Sequence, residues 1–207
     1  MSELHRFAEA LKSDQSLFQV DLASEVVASL SSYYSLLTRW NARLHLVAPC
    51  SPEEFATRHV LESLMLLKHL PQDAKIADIG SGAGLPIIPC LVARPDLHAT
   101  MIESSQKKSV FLREALNTVG RTATIIAKPF EDVPTPDVSF ITCRALDQFI
   151  EKVPSIIQWA PLGSSLLLFG GQTLREKLDD TKIRSQIFRI PLSEKRLLFV
   201  GVKQALP

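Results

Sequence analysis

The chain has 207 residues, of which 46% are hydrophobic and 22% charged, and this is the composition of a globular protein with a sizeable core. Its 23 Lys and Arg residues nearly balance 22 Asp and Glu residues, so a formal charge of +1 excludes the strongly basic surface of a protein that binds naked nucleic acid everywhere. Any nucleic-acid contact is therefore expected to be a local patch.

The cysteines and the N-terminus indicate a reducing compartment. Cys50, Cys90 and Cys143 are widely separated and form no Cys-x-x-Cys pair, so we predict neither a metal site nor a disulfide framework. Residues 1–10 carry several charged side chains and no hydrophobic leader, and no apolar run approaches the length of a membrane span. We therefore expect a cytoplasmic monomer without metal or membrane partners.

The N-terminal part of the sequence is predicted to be helical. From Asp21 to Leu44 apolar residues recur at steps of three or four, which is the signature of one long amphipathic helix face. Ser51-Pro52-Glu53-Glu54 then combines a capping serine with a proline at the first helical position and a glutamate three residues after the cap, so a second helix should run toward His69. Residues 1–70 are expected to form a helical extension packed on the core, with the main boundary near Pro71.

Residues 71–207 alternate β-rich runs with helical stretches. Strands are predicted at Lys75–Ile79, His98–Glu103, Thr122–Ala127, Val138–Thr142 and Ser164–Phe169, and the helices between them at Leu85–Ala93, Lys107–Val119 and Asp147–Trp159. This alternation indicates βαβ units and a mainly parallel sheet. The last two runs, Arg184–Ile190 and Lys195–Lys203, leave no room for a crossover helix, so they must pair antiparallel.

The loop after the first predicted strand carries a ligand-binding pattern. In Asp78-Ile79-Gly80-Ser81-Gly82-Ala83-Gly84 the glycines allow a turn with positive φ and let a ligand lie against bare backbone. The third glycine of the dinucleotide pattern would fall on Leu85, and no Gly-Lys-Ser/Thr follows as in a P-loop. Gly-x-Gly-x-Gly after an aspartate is instead the pattern of S-adenosylmethionine-dependent methyltransferases.

An acidic residue supports this interpretation. Glu103 ends the next predicted strand, 19 residues beyond Gly84, where a carboxylate can accept hydrogen bonds from both hydroxyls of a ribose. Loop and carboxylate together predict an adenosine site. The alternative is that residues 80–84 form only a tight strand-to-helix turn and that Glu103 is a solvated strand end.

Several further segments occur together with the glycine loop. They are Trp40-Asn41, Arg58-His59-Val60-Leu61-Glu62-Ser63, Gly84-Leu85-Pro86 with Pro89, Arg94-Pro95, Glu103-Ser104 with Lys107-Lys108, Phe111-Leu112-Arg113, and Arg144-Ala145. This set resembles the bacterial 16S ribosomal RNA guanine-N7 methyltransferases, also called glucose-inhibited division protein B. The resemblance spans roughly residues 35–175.

The resemblance implies a fold, a cofactor and a set of site residues. The fold is the class I S-adenosylmethionine-dependent methyltransferase fold, a Rossmann-like α/β domain with a mainly parallel seven-stranded sheet and a C-terminal antiparallel hairpin over residues 71–207. The implied cofactor is S-adenosylmethionine, and the implied partner is 16S rRNA or the small ribosomal subunit. Cofactor-binding residues are expected at Asp78, Gly80, Ser81, Gly82, Gly84, Leu85, Glu103, Ser104, Phe130, Glu131 and Arg144. Arg144 is also the expected catalytic residue, and substrate-binding residues are expected at Arg58, His59, Lys107, Lys108 and Arg113.

The implied reaction needs no dedicated general base. Guanine N7 presents a free lone pair, so no proton has to leave before attack, and positioning with electrostatics can suffice. Arg144 follows a strand and stays charged, although it could equally form a structural salt bridge. The basic residues can meet RNA phosphate or form solvated helix faces, and His59 can bind substrate or simply pack.

Three segments depart from the family pattern. Where family members usually carry an arginine before the pair matched by Phe130-Glu131, this chain has Pro129, with Lys128 one position earlier. The family's lysine after the fifth strand is replaced by Gly170, and its Asn-Leu-Thr segment reads His45-Leu46-Val47. These differences concern substrate binding more than cofactor binding. Pro129 and Gly170 keep open a non-catalytic S-adenosylmethionine-binding homologue. A methyltransferase of the same fold acting on a small molecule or protein is a further alternative, against which the Arg58-His59 and Gly84-Leu85-Pro86 segments stand, and the glycine spacing disfavours a nicotinamide-dependent oxidoreductase.

Overall fold

The computed structural model describes residues 1–144, 148–181 and 183–204. The chain begins with helix α1 (Glu3–Asp14), a 3-10 turn (Gln15–Phe18) and the long helix α2 (Ser24–Leu44). The apolar stripe of α2 is buried, since Leu30, Tyr33 and Leu37 are at most 1% exposed. The predicted long amphipathic helix is therefore confirmed.

A continuous helical run, α3 (residues 52–69), leads to the sheet. The hydroxyl of Ser51 caps it by accepting a hydrogen bond from the backbone N of Glu54 at 3.1 Å, as the capping pattern predicts. Its middle, Phe55–Leu61, is a π-helical turn, and its end, Met65–His69, tightens into a 3-10 helix. Such π turns shift the backbone carbonyls and are frequent at functional sites. Here the turn carries Arg58 and His59.

Seven strands form one sheet. They are β1 (Lys75–Ile79), β2 (His98–Ile102), β3 (Thr124–Ile126), β4 (Phe140–Cys143), β5 (Ser165–Gly170), β6 (Ser185–Arg189) and β7 (Leu197–Val202). Their order is β3-β2-β1-β4-β5-β7-β6, with parallel pairing from β3 to β5 and antiparallel pairing of β7 with both neighbours. The five predicted parallel strands and the terminal hairpin are confirmed, with ends shifted by at most two residues.

Helices cover both faces of the sheet. They are α4 (Ile87–Ala93), α5 (Gln106–Thr118), α6 (Phe149–Trp159) and α7 (Gln172–Asp179). Because successive strand residues point to opposite faces, Ile76 joins a core with α2, α4 and α5, and Ala77 joins a core with α6 and α7. The predicted start of α6 at Asp147 lies outside the described residues.

The N-terminal helices share the first core with the sheet. Phe7 of α1 and Leu30 of α2 belong to the same buried cluster as Ile76 and Met101. The division of the chain near Pro71 stays a prediction. Among the residues that the structure describes, no helix combines the length and the apolar composition needed to cross a bilayer.

Candidate active site

A cavity of about 540 Å³ opens beyond the ends of β1, β2 and β4. Its position follows the rule that parallel sheets bind ligands outside the carboxyl ends of their strands, and its size is that of a small-molecule pocket. It is lined by Leu46, Val47, Ala48, His59, Ile79, Gly80, Ser81, Gly82, Ala83, Leu85, Ile102, Glu103, Ser104, Ser105, Lys108, Lys128, Pro129, Phe130, Glu131, Arg144 and Lys152. The fold thus gathers most of the predicted cofactor residues at one site.

Asp78 and Gly84 are the two predicted cofactor residues outside this lining. Asp78 is buried beneath the glycine loop, where its Oδ1 accepts a hydrogen bond from the hydroxyl of Thr142 at 2.7 Å. Its Oδ2 is buried without a partner among the described residues, and burial raises the pKa of Asp78 to about 7. Gly84 is a packing position, because an added Cβ would lie 2.3 Å from Cδ1 of Ile88.

The first side of the cavity is the glycine-loop wall, which we define as residues 80–85 with Glu103 and Phe130. Gly80 and Ser81 both donate their backbone N–H to the carbonyl of Ile102, at 2.9 and 3.2 Å. Glu103 accepts hydrogen bonds from the backbone N of Gly82 at Oε2 and of Ser105 at Oε1, both at 2.8 Å. Each carboxylate oxygen keeps a further lone pair for a ligand hydroxyl.

The segment of residues 46–48 also faces the cavity, and Asn41 holds it in place. The Asn41 side chain donates to the carbonyl of Val47 at 3.1 Å and accepts from the backbone N of Val47 at 2.9 Å. Of the two departures from the family pattern in this segment, Val47 therefore lies in the lining itself, whereas His45 lies outside it. The sequence pattern alone did not place this segment at the site.

Phe130 and Glu131 lie in a 3-10 turn (Phe130–Asp132) after β3. Phe130 is buried and packs edge-on against Trp159, with ring centroids 6.0 Å apart. Lys152 of α6 places its Nζ 3.0 Å from Oε1 of Glu131 and 5.7 Å from the centroid of the Phe130 ring. Lys152 could not be predicted from the sequence, because it belongs to no motif and reaches the cavity only through the position of α6 in the fold.

The second side is the arginine wall, which we define as His59 and Arg144 with Glu62 and Arg196 behind them. Nη1 of Arg144 donates to the carbonyl of His59 at 3.0 Å and to the hydroxyl of Ser63 at 3.1 Å. Its Nη2 donates to the carbonyl of Arg58 and to Oε2 of Glu62, the latter at 3.2 Å. Arg144 thus lines the cavity while it is bonded to the π-helical turn of α3.

Glu62 joins the largely buried Arg144 to Arg196, whose side chain is 35% exposed. The side chain of Glu62 is 2% exposed, and its Oε1 accepts from Nε and Nη2 of Arg196 at 2.8 and 2.5 Å. Burial raises the pKa of Glu62, and the two guanidinium groups oppose that effect. The salt-bridge role considered for Arg144 is therefore present in the structure, together with its place at the cavity.

His59 is a neutral side chain at physiological pH. Burial lowers its pKa to about 3, and the positive charges of Arg144 and Arg58 add to the effect. Its Nδ1 lies 3.3 Å from Nη2 of Arg144. An imidazole that accepts a hydrogen bond at Nδ1 carries its proton on Nε2, so that atom can donate to a ligand.

The remaining predicted substrate residues divide into two groups. Lys108 lines the cavity with His59, whereas Arg58 is exposed and pairs with Glu54 at 2.9 Å. Lys107 and Arg113 are exposed on α5 outside the lining. Gly170 also lies outside it, and an added Cβ there would meet Cδ2 of Leu174 at 2.5 Å.

Comparison with known proteins identifies the family that this chain matches. The family model described as rRNA small subunit methyltransferase G matches residues 26–196. Ribosomal RNA small subunit methyltransferase G of Sorangium cellulosum is 34% identical over 167 residues, which cover 77% of this chain and 70% of that protein. Its counterpart in Stenotrophomonas maltophilia K279a is 35% identical over 168 residues, covering 79% and 74%.

Solved structures share the fold at low identity. A methyltransferase from Pyrococcus furiosus superposes with a TM-score of 0.58 at 10% identity, covering 85% of this chain and 98% of that one. TYW2 of M. jannaschii, solved in complex with AdoMet, gives 0.53 at 10% identity over 70% and 74%. These likenesses concern the fold alone, and they confirm the predicted class I methyltransferase architecture.

Proposed function

Because this chain belongs to the rRNA small subunit methyltransferase G family, we propose that it methylates N7 of a guanine in 16S ribosomal RNA with S-adenosylmethionine as the donor. The observation that carries this proposal is the extent of the family match. Residues 26–196 include every residue that lines the cavity and all four members of the arginine wall. Both the donor side and the acceptor side of the reaction therefore fall within the matched segment.

The glycine-loop wall fits S-adenosylmethionine by its chemistry. Glu103 offers carboxylate oxygens for ribose hydroxyls, and Ile79, Ile102 and Phe130 offer apolar surface for an adenine ring. The buried Oδ2 of Asp78 beneath the loop lacks a partner in the described residues, and a buried carboxylate oxygen of this kind can accept from an ammonium group or a water. When bound, S-adenosylmethionine supplies an electrophilic methyl group on its sulfonium.

The arginine wall supplies positioning rather than acid-base chemistry. His59 is neutral, and a guanine N7 that attacks through its lone pair has no proton to give up. In the proposed site the guanidinium of Arg144, fixed by its contacts to α3, orients the base or the cofactor at the cavity edge. Lys108 and Lys128, which also line the cavity, provide charges for RNA phosphates.

The test is methyl transfer from radiolabelled S-adenosylmethionine to small ribosomal subunits and to naked 16S rRNA. Arg144→Ala should lose most of the transfer, and Arg144→Lys should restore little of it, because lysine keeps the charge but not the planar set of donors. Arg175→Ala, at an exposed position on α7 outside the cavity, is the matched control. Chemical cleavage at N7-methylguanine identifies the modified atom.

Two results would contradict the proposal. Transfer only to a small molecule or a protein would assign another acceptor to this fold. Binding of S-adenosylmethionine with no transfer to any ribosomal RNA substrate would identify a non-catalytic homologue.

A further inference from the structure

Two adjacent tyrosines on α2 make different contacts. Tyr33 is 0% exposed, and its hydroxyl donates a 2.6 Å hydrogen bond to the carbonyl of Ala83 in the glycine loop. Tyr34 is 6% exposed and stacks on Phe7 with ring centroids 4.5 Å apart. Within the described part of the chain its hydroxyl makes no hydrogen bond. One tyrosine therefore joins α2 to the loop, and its neighbour only packs.

The contact from Tyr33 completes the set of bonds that hold the glycine loop. The N–H groups of Gly80 and Ser81 are bound to the end of β2, and that of Gly82 is bound to Glu103. These bonds hold the beginning of the loop. The carbonyl of Ala83, which follows, is bound from the N-terminal helices through Tyr33.

The position of the Ala83 carbonyl affects the shape of the glycine loop at the cavity. It lies between Gly82 and Gly84, whose φ angles of 51° and 84° turn the chain toward α4, and it lines the cavity. The ring of Tyr33 is held in the core, 6.4 Å from the ring of Phe55, so packing fixes the position of its hydroxyl. A buried carbonyl that lost this partner would have to shift toward another donor or stay unpaired at a cost.

We propose that Tyr33 is a positioning residue for the cofactor: its hydroxyl holds Ala83, and through it the glycine loop, in the shape that receives S-adenosylmethionine. The identity of the ligand rests on the proposed function, whereas the contact between Tyr33 and the loop does not. A loop held in its binding shape pays no ordering cost when the ligand arrives. The N-terminal helix α2 is then a part of the binding site.

The first test compares Tyr33→Phe with the matched control Tyr34→Phe by calorimetric titration with S-adenosylmethionine and with S-adenosylhomocysteine. Tyr33→Phe removes one neutral hydrogen bond to the loop, so the dissociation constant should rise roughly threefold to tenfold, while Tyr34→Phe keeps the wild-type value. In steady state the KM for S-adenosylmethionine should rise and the KM for RNA should not. A thermal unfolding temperature lowered in Tyr33→Phe with unchanged affinity would overturn the proposal.

The second test needs no ligand. Amide hydrogen exchange over residues 80–84 should be faster in Tyr33→Phe than in wild type, and unchanged in Tyr34→Phe. If wild type binds no S-adenosylmethionine, the proposed function fails, yet the exchange comparison still decides the role of Tyr33. Exchange in Tyr33→Phe equal to that of wild type would overturn the positioning role.

Discussion

The two walls of the cavity are held by different kinds of interaction. In the glycine-loop wall, backbone N–H groups bind Glu103 and the end of β2, and Gly82 and Glu103 are 21 residues apart in sequence. In the arginine wall, side-chain charges bind one another around the buried carboxylate of Glu62, which lies 82 positions from Arg144 and 134 positions from Arg196 in sequence. The first wall is formed by segments that are close in sequence, within successive βαβ units. The second brings together residues that are far apart in sequence and meet only in the folded chain.

This difference separates ligand binding from stability. Each backbone hydrogen bond in the glycine-loop wall contributes modestly, so its loss changes the shape of the loop more than it changes folding. Glu62, in contrast, forms a buried ion pair with Arg144 and also binds the partly exposed Arg196, and removing one member of a buried ion pair leaves an uncompensated charge. Variants of the arginine wall should therefore unfold more easily, and variants of the glycine-loop wall should lose ligand.

The largest effect is expected for Glu62→Ala. Arg144 and Arg196 lose their shared carboxylate while the Arg144 side chain stays 10% exposed. The free energy of unfolding should fall by roughly 3–5 kcal/mol, measured by urea denaturation. Glu54→Ala, on the same helical run, removes the exposed partner of Arg58 and should cost less than about 1 kcal/mol. Equal losses of unfolding free energy in Glu62→Ala and Glu54→Ala would show that the buried ion pairs of Glu62 stabilise the fold no more than an exposed ion pair does.

Glu103→Ala tests the glycine-loop wall. The variant loses the anchors of Gly82 and Ser105 and the acceptor for ribose hydroxyls, so the affinity for S-adenosylmethionine should fall roughly 10- to 100-fold in calorimetry. The free energy of unfolding should change less than in Glu62→Ala. Glu114→Ala, exposed on α5, serves as the control. Unchanged affinity in Glu103→Ala would mean that the loop is only a structural turn.

His59 makes the arginine wall sensitive to acid. Its pKa of about 3 in the folded protein lies below the ordinary 6.5, so the unfolded chain takes up a proton first as pH falls. His59 therefore contributes stability above pH 6.5 that is lost as pH falls toward 3, by about 2 kcal/mol between pH 7 and pH 5. Asp78, whose pKa is raised to about 7, acts in the opposite direction over this range.

Because of that opposition, the measurement compares wild type with His59→Gln at each pH rather than either protein alone. Denaturation by urea should show that the free energy of unfolding of wild type falls relative to the variant as pH is lowered from 7 to 5. Parallel curves for the two proteins would contradict the assigned burial of His59.

The elements that could be predicted are those whose signals are local. The run Lys75–Ile79 is bounded by Pro71 and the glycine loop and was placed with both ends correct. Ser51 and Pro52 likewise marked the start of α3. The π-helical turn inside α3 was not predicted, because no residue pattern separates it from an α-helical turn. Helix α7 was not among the predicted helices either, since only Leu174 and Leu178 are buried in its polar sequence.

The same distinction between local and long-range signals applies to the residues of the site. Gly80, Gly82 and Glu103 could be predicted because strand, turn and acidic residue follow one another at a characteristic spacing. Arg196 and Lys152 could not be predicted, since neither belongs to a motif and Arg196 reaches Glu62 from 134 positions away in sequence. The sequence also left both roles of Arg144 open, and only the structure shows the bonds from this residue, at the end of β4, to Glu62 and Ser63 of α3.

The smallest effect is expected where a side-chain ion pair supports the glycine-loop wall. Lys152 contacts both Phe130 and Glu131, next to Pro129, where the family usually carries an arginine. Because the pair is partly exposed, Lys152→Ala should weaken S-adenosylmethionine binding less than about fivefold, and more at low salt than at high salt. Exchanging the two charges, with Lys152→Glu and Glu131→Lys together, should recover part of the loss in a double-mutant cycle. If the KM for RNA rises instead and cofactor affinity stays constant, Lys152 serves the substrate, and the shape of the glycine-loop wall does not depend on this ion pair.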